Sequence, residues 1–187
     1  MSVKTGRHTT LRVFREDQPA APLREVTTGD EITRELAAIG VRFERFFNDG
    51  PLPATDDQEA ILAACASVVT YVQRHGQYRI VDVVRVVEGQ PDTAPLRAKF
   101  LAEHSHSDDE VRYFVEGSGA FYLRAPGHVY QVICTRGDLV CVPATALHWF
   151  DMGTDPEFTA IRWFNNPDGW VGDFTGDPIS ERFPLYS

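Results

Sequence analysis

The chain is 187 residues long, 43% hydrophobic and 24% charged, with a formal net charge of −9. That length accommodates one domain with a full core. An acidic balance without any basic cluster argues against nucleic acid or an anionic membrane surface as partner, and no apolar run approaches the length of a membrane span.

Met1 to Gly6 leads into polar residues and carries no apolar signal core. Cys65, Cys134 and Cys141 show no C-x-x-C spacing. They read as reduced, mostly buried thiols, and the expected compartment is the cytoplasm. Thr9 to Phe14 alternates weakly and reads as a short strand, and Asp17 to Pro22 as loop. Thr28-Gly29-Asp30-Glu31 opens a helix carrying Ile32, Leu36 and Ile39 at helical spacing, which Gly40 ends. Val41 to Phe47 reads as a strand and Asn48 to Pro51 as a turn. Asp56 to His75 is the longest helical pattern, with Ile61, Leu62, Cys65, Val68, Val69 and Val72 in one apolar stripe. Gly76 stops it.

From Tyr78 the texture changes. Tyr78 to Val87 is rich in β-branched residues and reads as a strand. Short apolar runs follow at Val111–Val115, Gly119–Arg124, His128–Thr135, Asp138–Val142, His148–Met152 and Phe158–Phe164. Glu116 to Gly119 and Arg136 to Asp138 read as hairpin-type turns. Regular short strands without intervening helices imply an antiparallel sandwich or barrel. The tail, Asn165 to Ser187, carries Trp170, Phe174, Phe183 and Leu185 and is expected to wrap that barrel. The chain thus divides into an N-terminal strand and helix annex (1–77), a barrel core (78–164) and a wrapping tail (165–187).

The chemistry concentrates at residues 103–114. With Phe100 to His106 extended, His104 and His106 point to one face, because side chains alternate along a strand. Ser107-Asp108-Asp109 are turn formers. A second strand from Glu110 places Glu110, Arg112 and Phe114 together, and the bend can return Glu110 to the two imidazoles. Two neutral nitrogens and a carboxylate aimed at one point are ligands for a first-row divalent metal. A single histidine is more often a satisfied core or surface group; two at strand spacing with a carboxylate favour the metal. His148 starts a strand after Asp138–Val142. H-x-H-x-x-x-E, then G-D-x-x-x-x-P at Gly137-Asp138 and Pro143, then a later histidine, resembles the two-part pattern of the cupin barrel. His104, His106, Glu110 and His148 would leave two positions on an octahedral ion. That suits iron, nickel, manganese or cobalt better than a closed zinc site.

Arg112 is in phase with Glu110 and is read as facing the pocket, where it favours an anionic, electron-rich ligand. The alternative for Arg112 is a surface pair with Asp108 or Asp109. Phe100, Phe114, Phe150, Trp163 and Trp170 are candidates to line the pocket, although core packing is the commoner role of any one aromatic. Glu103 and Asp109 point away by strand parity and are candidates to orient ligands from behind, with a solvated acid as the equal alternative. His8, His75 and His128 have no partner pattern and are read as non-ligands.

At Glu103–Gly119, and further through Gly137-Asp138-Leu139, Val142-Pro143-Ala144, His148–Gly153, Asn166–Trp170 and Phe174–Asp177, the chain resembles the acireductone dioxygenases, cupin enzymes of methionine salvage. The resemblance implies a mainly β fold, a cupin (double-stranded β-helix or jelly-roll) barrel with N-terminal helices packed on its outside. It implies one Fe(2+) or Ni(2+) per chain on His104, His106, Glu110 and His148, with manganese or cobalt as substitutes. It assigns Arg112 to generating the substrate dianion, Glu103 to metal incorporation and Asp109 to transmitting conformational change. Of the candidate aromatics, Phe100, Phe150 and Trp170 are expected in the substrate pocket. The implied partners are an acireductone and dioxygen, with no nucleic acid or membrane, and the chain is expected to be a monomer. One departure stands out: Thr145-Ala146 stands where the family has Gly-Thr, which puts the turn presenting His148 in question. The ligand set alone also permits another cupin metalloenzyme, a thiol dioxygenase or an isomerase, or a non-catalytic ligand-binding cupin. The Glu110–Phe114 run and the Asn166–Trp170 tail disfavour the other enzymes, and the intact donor set disfavours a binding protein.

Overall fold

The computed structural model describes residues 8–46, 57–87, 89–166 and 171–187. The turn expected at Asn48–Pro51 and the pocket aromatic Trp170 lie outside them. In chain order the elements are β1 (Thr10–Arg15), β2 (Arg24–Val26), α1 (Gly29–Ala37), β3 (Arg42–Arg45), α2 (Gln58–Ala64), α3 (Ala66–His75), β4 (Ile80–Val86) and α4 (Thr93–Leu101). Then come β5 (His104–Ser105), β6 (Glu110–Ala125), β7 (His128–Thr135), β8 (Asp138–Val142), β9 (His148–Asp151), β10 (Phe158–Phe164), β11 (Asp173–Phe174) and a 3-10 turn at Pro178–Arg182.

The sixteen-residue β6 belongs to two sheets. Its first half, Glu110 to Gly117, pairs with β8 and β10, and β3 and β4 extend that sheet on either side. Its second half, from Ser118, pairs with β7 and β9, and β1, β2, β5 and β11 extend the other. All these pairings are antiparallel. Glu116 to Gly119 is therefore a bend inside one strand and not a hairpin turn. Gly117 sits at the bend with φ +70°, and a Cβ there would lie 1.9 Å from the Glu157 carbonyl oxygen. Only glycine adopts that backbone without strain and lets the neighbouring chain approach so closely. Arg136 to Asp138 turns the chain as expected, yet β7 and β8 do not pair with each other; they lead into different sheets. The hairpin lies instead at Pro126-Gly127, between the paired residues Ala125 and His128.

Period-two alternation sorts the side chains into an interior between the sheets and two outer faces. Along β6, Phe114, Phe121 and Leu123 enter the interior, with Val132 and Cys134 of β7, Val140 and Val142 of β8, Phe150 of β9, and Phe158 and Ala160 of β10. Val111, Tyr113 and Val115 face outward, with Leu139, Ile161 and Trp163, onto a second cluster built with Ile61, Cys65, Val68 and Val72 of the α2–α3 region. Trp163, a candidate for the pocket, thus belongs to this outer cluster. On the other sheet Phe14, Tyr122, Val129 and Trp149 face outward under Ile179, Phe183 and Tyr186 of the tail. Strands buried on both faces read as near-continuous apolar runs, which is why alternation was weak in the sequence.

Two further differences concern helices. The pattern at residues 56–75 is broken at Cys65, whose φ of −109° and ψ of 21° separate α2 from α3 while the apolar stripe continues across the break. Phe100, expected on a strand, is on α4. That helix has Pro95 in its first turn, where a missing N–H costs nothing, and it presents only Leu96 and Phe100 to the interior cluster. Such a thin apolar face leaves no periodic signal. None of the three cysteines is in a disulfide. Among the described residues no helix is long and apolar enough to cross a membrane.

Gly117→Ala should lower unfolding free energy by roughly 2–4 kcal/mol, since it adds both positive-φ strain and a backbone clash. Urea unfolding followed by far-ultraviolet circular dichroism measures this.

Candidate metal centre

Three strands bring the donor side chains together. β5 pairs with β9 at His104 and His148, and β9 pairs with β6 at His148 and Leu123. The chain bends after His106 and re-enters the barrel at Glu110, the first residue of β6. The donor atoms of His104, His106, Glu110 and His148 all lie within 4.8 Å of one another, and all four residues are buried. The imidazole centroids form a near-regular triangle: His104–His148 4.5 Å, His104–His106 4.9 Å and His106–His148 5.1 Å. His8, His75 and His128 are not in the cluster.

The ring orientations are set from behind. Nδ1 of His104 lies 2.7 Å from the Ala102 carbonyl, Nδ1 of His148 2.8 Å from the Ala146 carbonyl, and Nδ1 of His106 2.9 Å from the Val171 carbonyl. A carbonyl only accepts, so each Nδ1 carries the proton and donates. In its neutral form each imidazole then presents an Nε2 lone pair to the centre. Glu110 Oε2 sits 3.0 Å from His148 Nε2 and 3.2 Å from His106 Nε2. Lone pairs and a carboxylate facing one another at that range call for a cation between them. A divalent ion meets that need with this donor chemistry, and the backbone carbonyls behind the rings are the partners metal-ligating histidines typically have.

The electrostatics agree. Burial pushes His104 down to about 4, so its ring is neutral near pH 7. Burial also pulls His106 down, but the hydrogen bond and charge of Glu110 outweigh it and the ring ends raised. Glu110 is pushed up by burial and pulled down further by Arg112, His106 and His148, so it lies well below the usual carboxylate range. Arg112 Nη2 donates to Glu110 Oε1 at 2.9 Å. Its guanidinium carbon lies 4.5 Å from the Phe150 ring centroid and 5.1 Å from that of Phe121. Arg112 is 6% exposed, which excludes the surface pairing with Asp108 or Asp109. In register with it on β10 stands Arg162, held by Asp82 at 2.8 and 2.5 Å across β4. That second guanidinium had no motif to mark it.

Glu103 and Asp109 face away from the centre, and each has a partner. Glu103 is buried and accepts from Arg124 and Thr175. Asp109 Oδ1 accepts from the Ala144 amide at 2.9 Å and so ties the ligand turn to the loop before His148. Phe150 lies beneath Arg112, and Phe100 packs half-buried against the same interior cluster. Phe174 of the tail lies 5.5 Å from His104, ring to ring. Thr145 has φ +67°. Its amide nevertheless donates to the His106 carbonyl at 2.9 Å, so the turn is formed with a β-branched residue in a left-handed conformation.

Fold and site together define a mainly β cupin barrel with a three-histidine, one-glutamate cluster at its interior. The sequence profile of the ARD/ARD' family matches residues 10–172. Acireductone dioxygenase of Parvibaculum lavamentivorans is 52% identical over 178 residues, 95% of this chain and 97% of the relative. That of Pseudomonas aeruginosa (strain UCBPP-PA14) is 50% identical over 175 residues, 94% and 97% of the two chains. Among solved structures, an acireductone dioxygenase from Bacillus anthracis with a cadmium ion in its active centre matches with a TM-score of 0.76 and 26% identity, covering 91% of this chain and 100% of that one. The chain therefore belongs to the ARD/ARD' family, the acireductone dioxygenases.

Thr145→Gly should raise unfolding free energy by about 1 kcal/mol by relieving the left-handed strain, readable as a higher urea midpoint in metal-free protein. In that same protein His104 takes up its proton near pH 6.5 when unfolded and near pH 4 when folded. The unfolded chain holds the extra proton between those values, so stability rises with pH across that window and is lost as pH falls through it. His106 works in the opposite sense, its contribution fading as pH rises past its raised value. Urea titrations between pH 4 and pH 7 should show a slope that flattens in His104→Gln.

Proposed function

We propose that the chain is a metal-dependent dioxygenase that cleaves the acireductone 1,2-dihydroxy-5-(methylthio)pent-1-en-3-one with dioxygen. In this reading His104, His106, Glu110 and His148 hold one Fe(2+) or Ni(2+). The iron form yields formate and 4-methylthio-2-oxobutanoate, the precursor of methionine. The nickel form yields 3-methylthiopropanoate, formate and carbon monoxide. One observation carries the reading: four donors converge beside a buried arginine, in a chain that belongs to this family.

The bound ion would supply Lewis acidity that holds the enediolate and brings it together with dioxygen. The protein's residues do the rest. Arg112 keeps a fixed positive charge at the centre: burial lowers its proton affinity, but the charge of Glu110 opposes that and a guanidinium starts from a value far above neutrality. A guanidinium already aimed at the pocket favours loss of both enediol protons and pairs with the resulting dianion. Phe150 and Phe121 hold that guanidinium by its faces and exclude water from it. Phe100, with Trp170 beyond the described residues, is assigned to the methylthio end. Asp109, through the Ala144 amide, links the turn after His106 to the loop before His148. A ligand-induced shift in one is thereby passed to the other.

Iron-loaded protein should consume dioxygen on addition of the acireductone and release formate in equal amount; protein shown to hold one metal and giving no turnover with either iron or nickel would sink the proposal. Glu110→Ala should lose metal and activity together. Arg112→Met should keep its metal, and its kcat/KM should fall by about 10²–10³, the usual cost of one preorganised charge-stabilising group.

A further inference from the structure

Behind the imidazoles, on the opposite face of β5, three carboxylates from distant parts of the chain gather on one guanidinium. Arg124 Nη1 donates to both oxygens of Glu103, at 3.1 and 3.2 Å, and to Asp177 Oδ2 at 3.1 Å. Its Nη2 donates to Glu16 Oε1 at 2.6 Å. Glu103 is 1% exposed, so its charge has little water to fall back on. Thr175 adds a hydroxyl to Glu103 Oε2 at 2.8 Å and an amide to the Glu103 carbonyl at 3.1 Å. The backbone amide of Arg124 donates to the Leu147 carbonyl at 2.9 Å.

These contacts fall next to the three carbonyls that orient the imidazoles. Glu103 follows Ala102, which holds His104. Leu147 follows Ala146, which holds His148. Thr175 and Asp177 anchor the tail segment whose Val171 carbonyl holds His106, and between Val171 and Thr175 β11 pairs Phe174 with His104 and Asp173 with Ser105. The first two acceptors are local, two residues before their own histidines. The third comes from 65 residues away, so its place depends on how the tail is held.

We propose that Arg124 is a positioning residue of the metal centre: by clamping Glu103, Asp177 and Glu16 it fixes the tail against β5 and thereby sets the imidazole of His106, the one ligand whose partner lies on the tail. The inference rests on the metal-site reading above. It gives the buried acid before His104 a physical task, as the anchor point of the tail. Removing the guanidinium leaves three acids facing each other with Glu103 buried, and the cheapest relief is to release the tail. The Val171 carbonyl would leave with it and free the His106 ring to turn.

The test uses full-length protein and cobalt(II) as probe, without substrate. Dissociation constants come from chelator competition, and ligand geometry from the visible d–d bands. Arg124→Gln should bind cobalt about 10–100-fold more weakly, the usual loss when a partner behind the ligands is removed, with shifted bands at temperatures where it remains folded. Arg124→Lys should recover only part, since an ammonium lacks the planar fork that spans several carboxylates. A purely structural role predicts a lower melting temperature with unchanged cobalt affinity in the folded protein, and that result overturns the inference. If Arg124→Gln does not fold, the doubly substituted Thr175→Val, Asp177→Asn protein decides, because it cuts the tail arms and leaves Arg124 on Glu103. Weaker cobalt binding in that variant supports the clamp, and native affinity rejects it. Because no substrate enters the measurement, a failed clamp leaves the dioxygenase reading standing, and absent turnover leaves the cobalt result standing.

Discussion

The Glu110 carboxylate sets the terms for everything around it. It is buried, faces two imidazole nitrogens with one oxygen and takes a guanidinium N–H on the other. An anion withdrawn from water in this way costs several kcal/mol unless it is paired and fully hydrogen-bonded. Arg112 supplies one partner from two residues along the same strand. A divalent ion among the imidazoles would supply the other. The same low dielectric that makes the charge expensive strengthens its interaction with anything bound beside it.

The barrel meets those terms through one strand. Because β6 is shared, its first half delivers Glu110 and Arg112 into the interior, and its second half presents Leu123 to pair with His148. The bend at Gly117 lets the first half face the second. Phe114, Phe121, Phe150 and Phe158 fill the interior below the guanidinium, with ring centroids 4.8–6.4 Å apart. Burying each ring contributes about 2–3 kcal/mol. That apolar floor is also what keeps Arg112 dry. Packing and site chemistry are one layer of side chains here.

The ligands were readable because they obey local rules. His104 and His106 share a face by strand parity, Glu110 and Arg112 share one by the same rule, and the turn formers between them are adjacent in sequence. His148 was readable only through the spacing of Gly137-Asp138 and Pro143 before it. Where alternation failed as a guide, both faces were buried, so β6 looked like two strands around a glycine turn. α4 went unseen because it commits Leu96 and Phe100 to the interior and Leu101 to the outer cluster, and so has no stripe. Arg124, Thr175 and the Val171 carbonyl were beyond reach for a different reason. They act across 21 to 72 residues, and a backbone carbonyl has no sequence signature at all.

The loop at Pro143–Leu147 shows why a left-handed threonine at position 145 does not displace His148. Three of its last four residues are held by separate parts of the molecule, and the fourth by His148 itself. Ala144 donates to Asp109, Thr145 donates to the His106 carbonyl, the Ala146 carbonyl accepts from His148, and the Leu147 carbonyl accepts from Arg124. Left-handed threonine costs on the order of 1–2 kcal/mol, a charge a free loop would escape by changing shape. With three external bonds worth about 1 kcal/mol each, relaxation would lose more than it gained. The strain therefore stays in the backbone, and His148 stays beside Glu110.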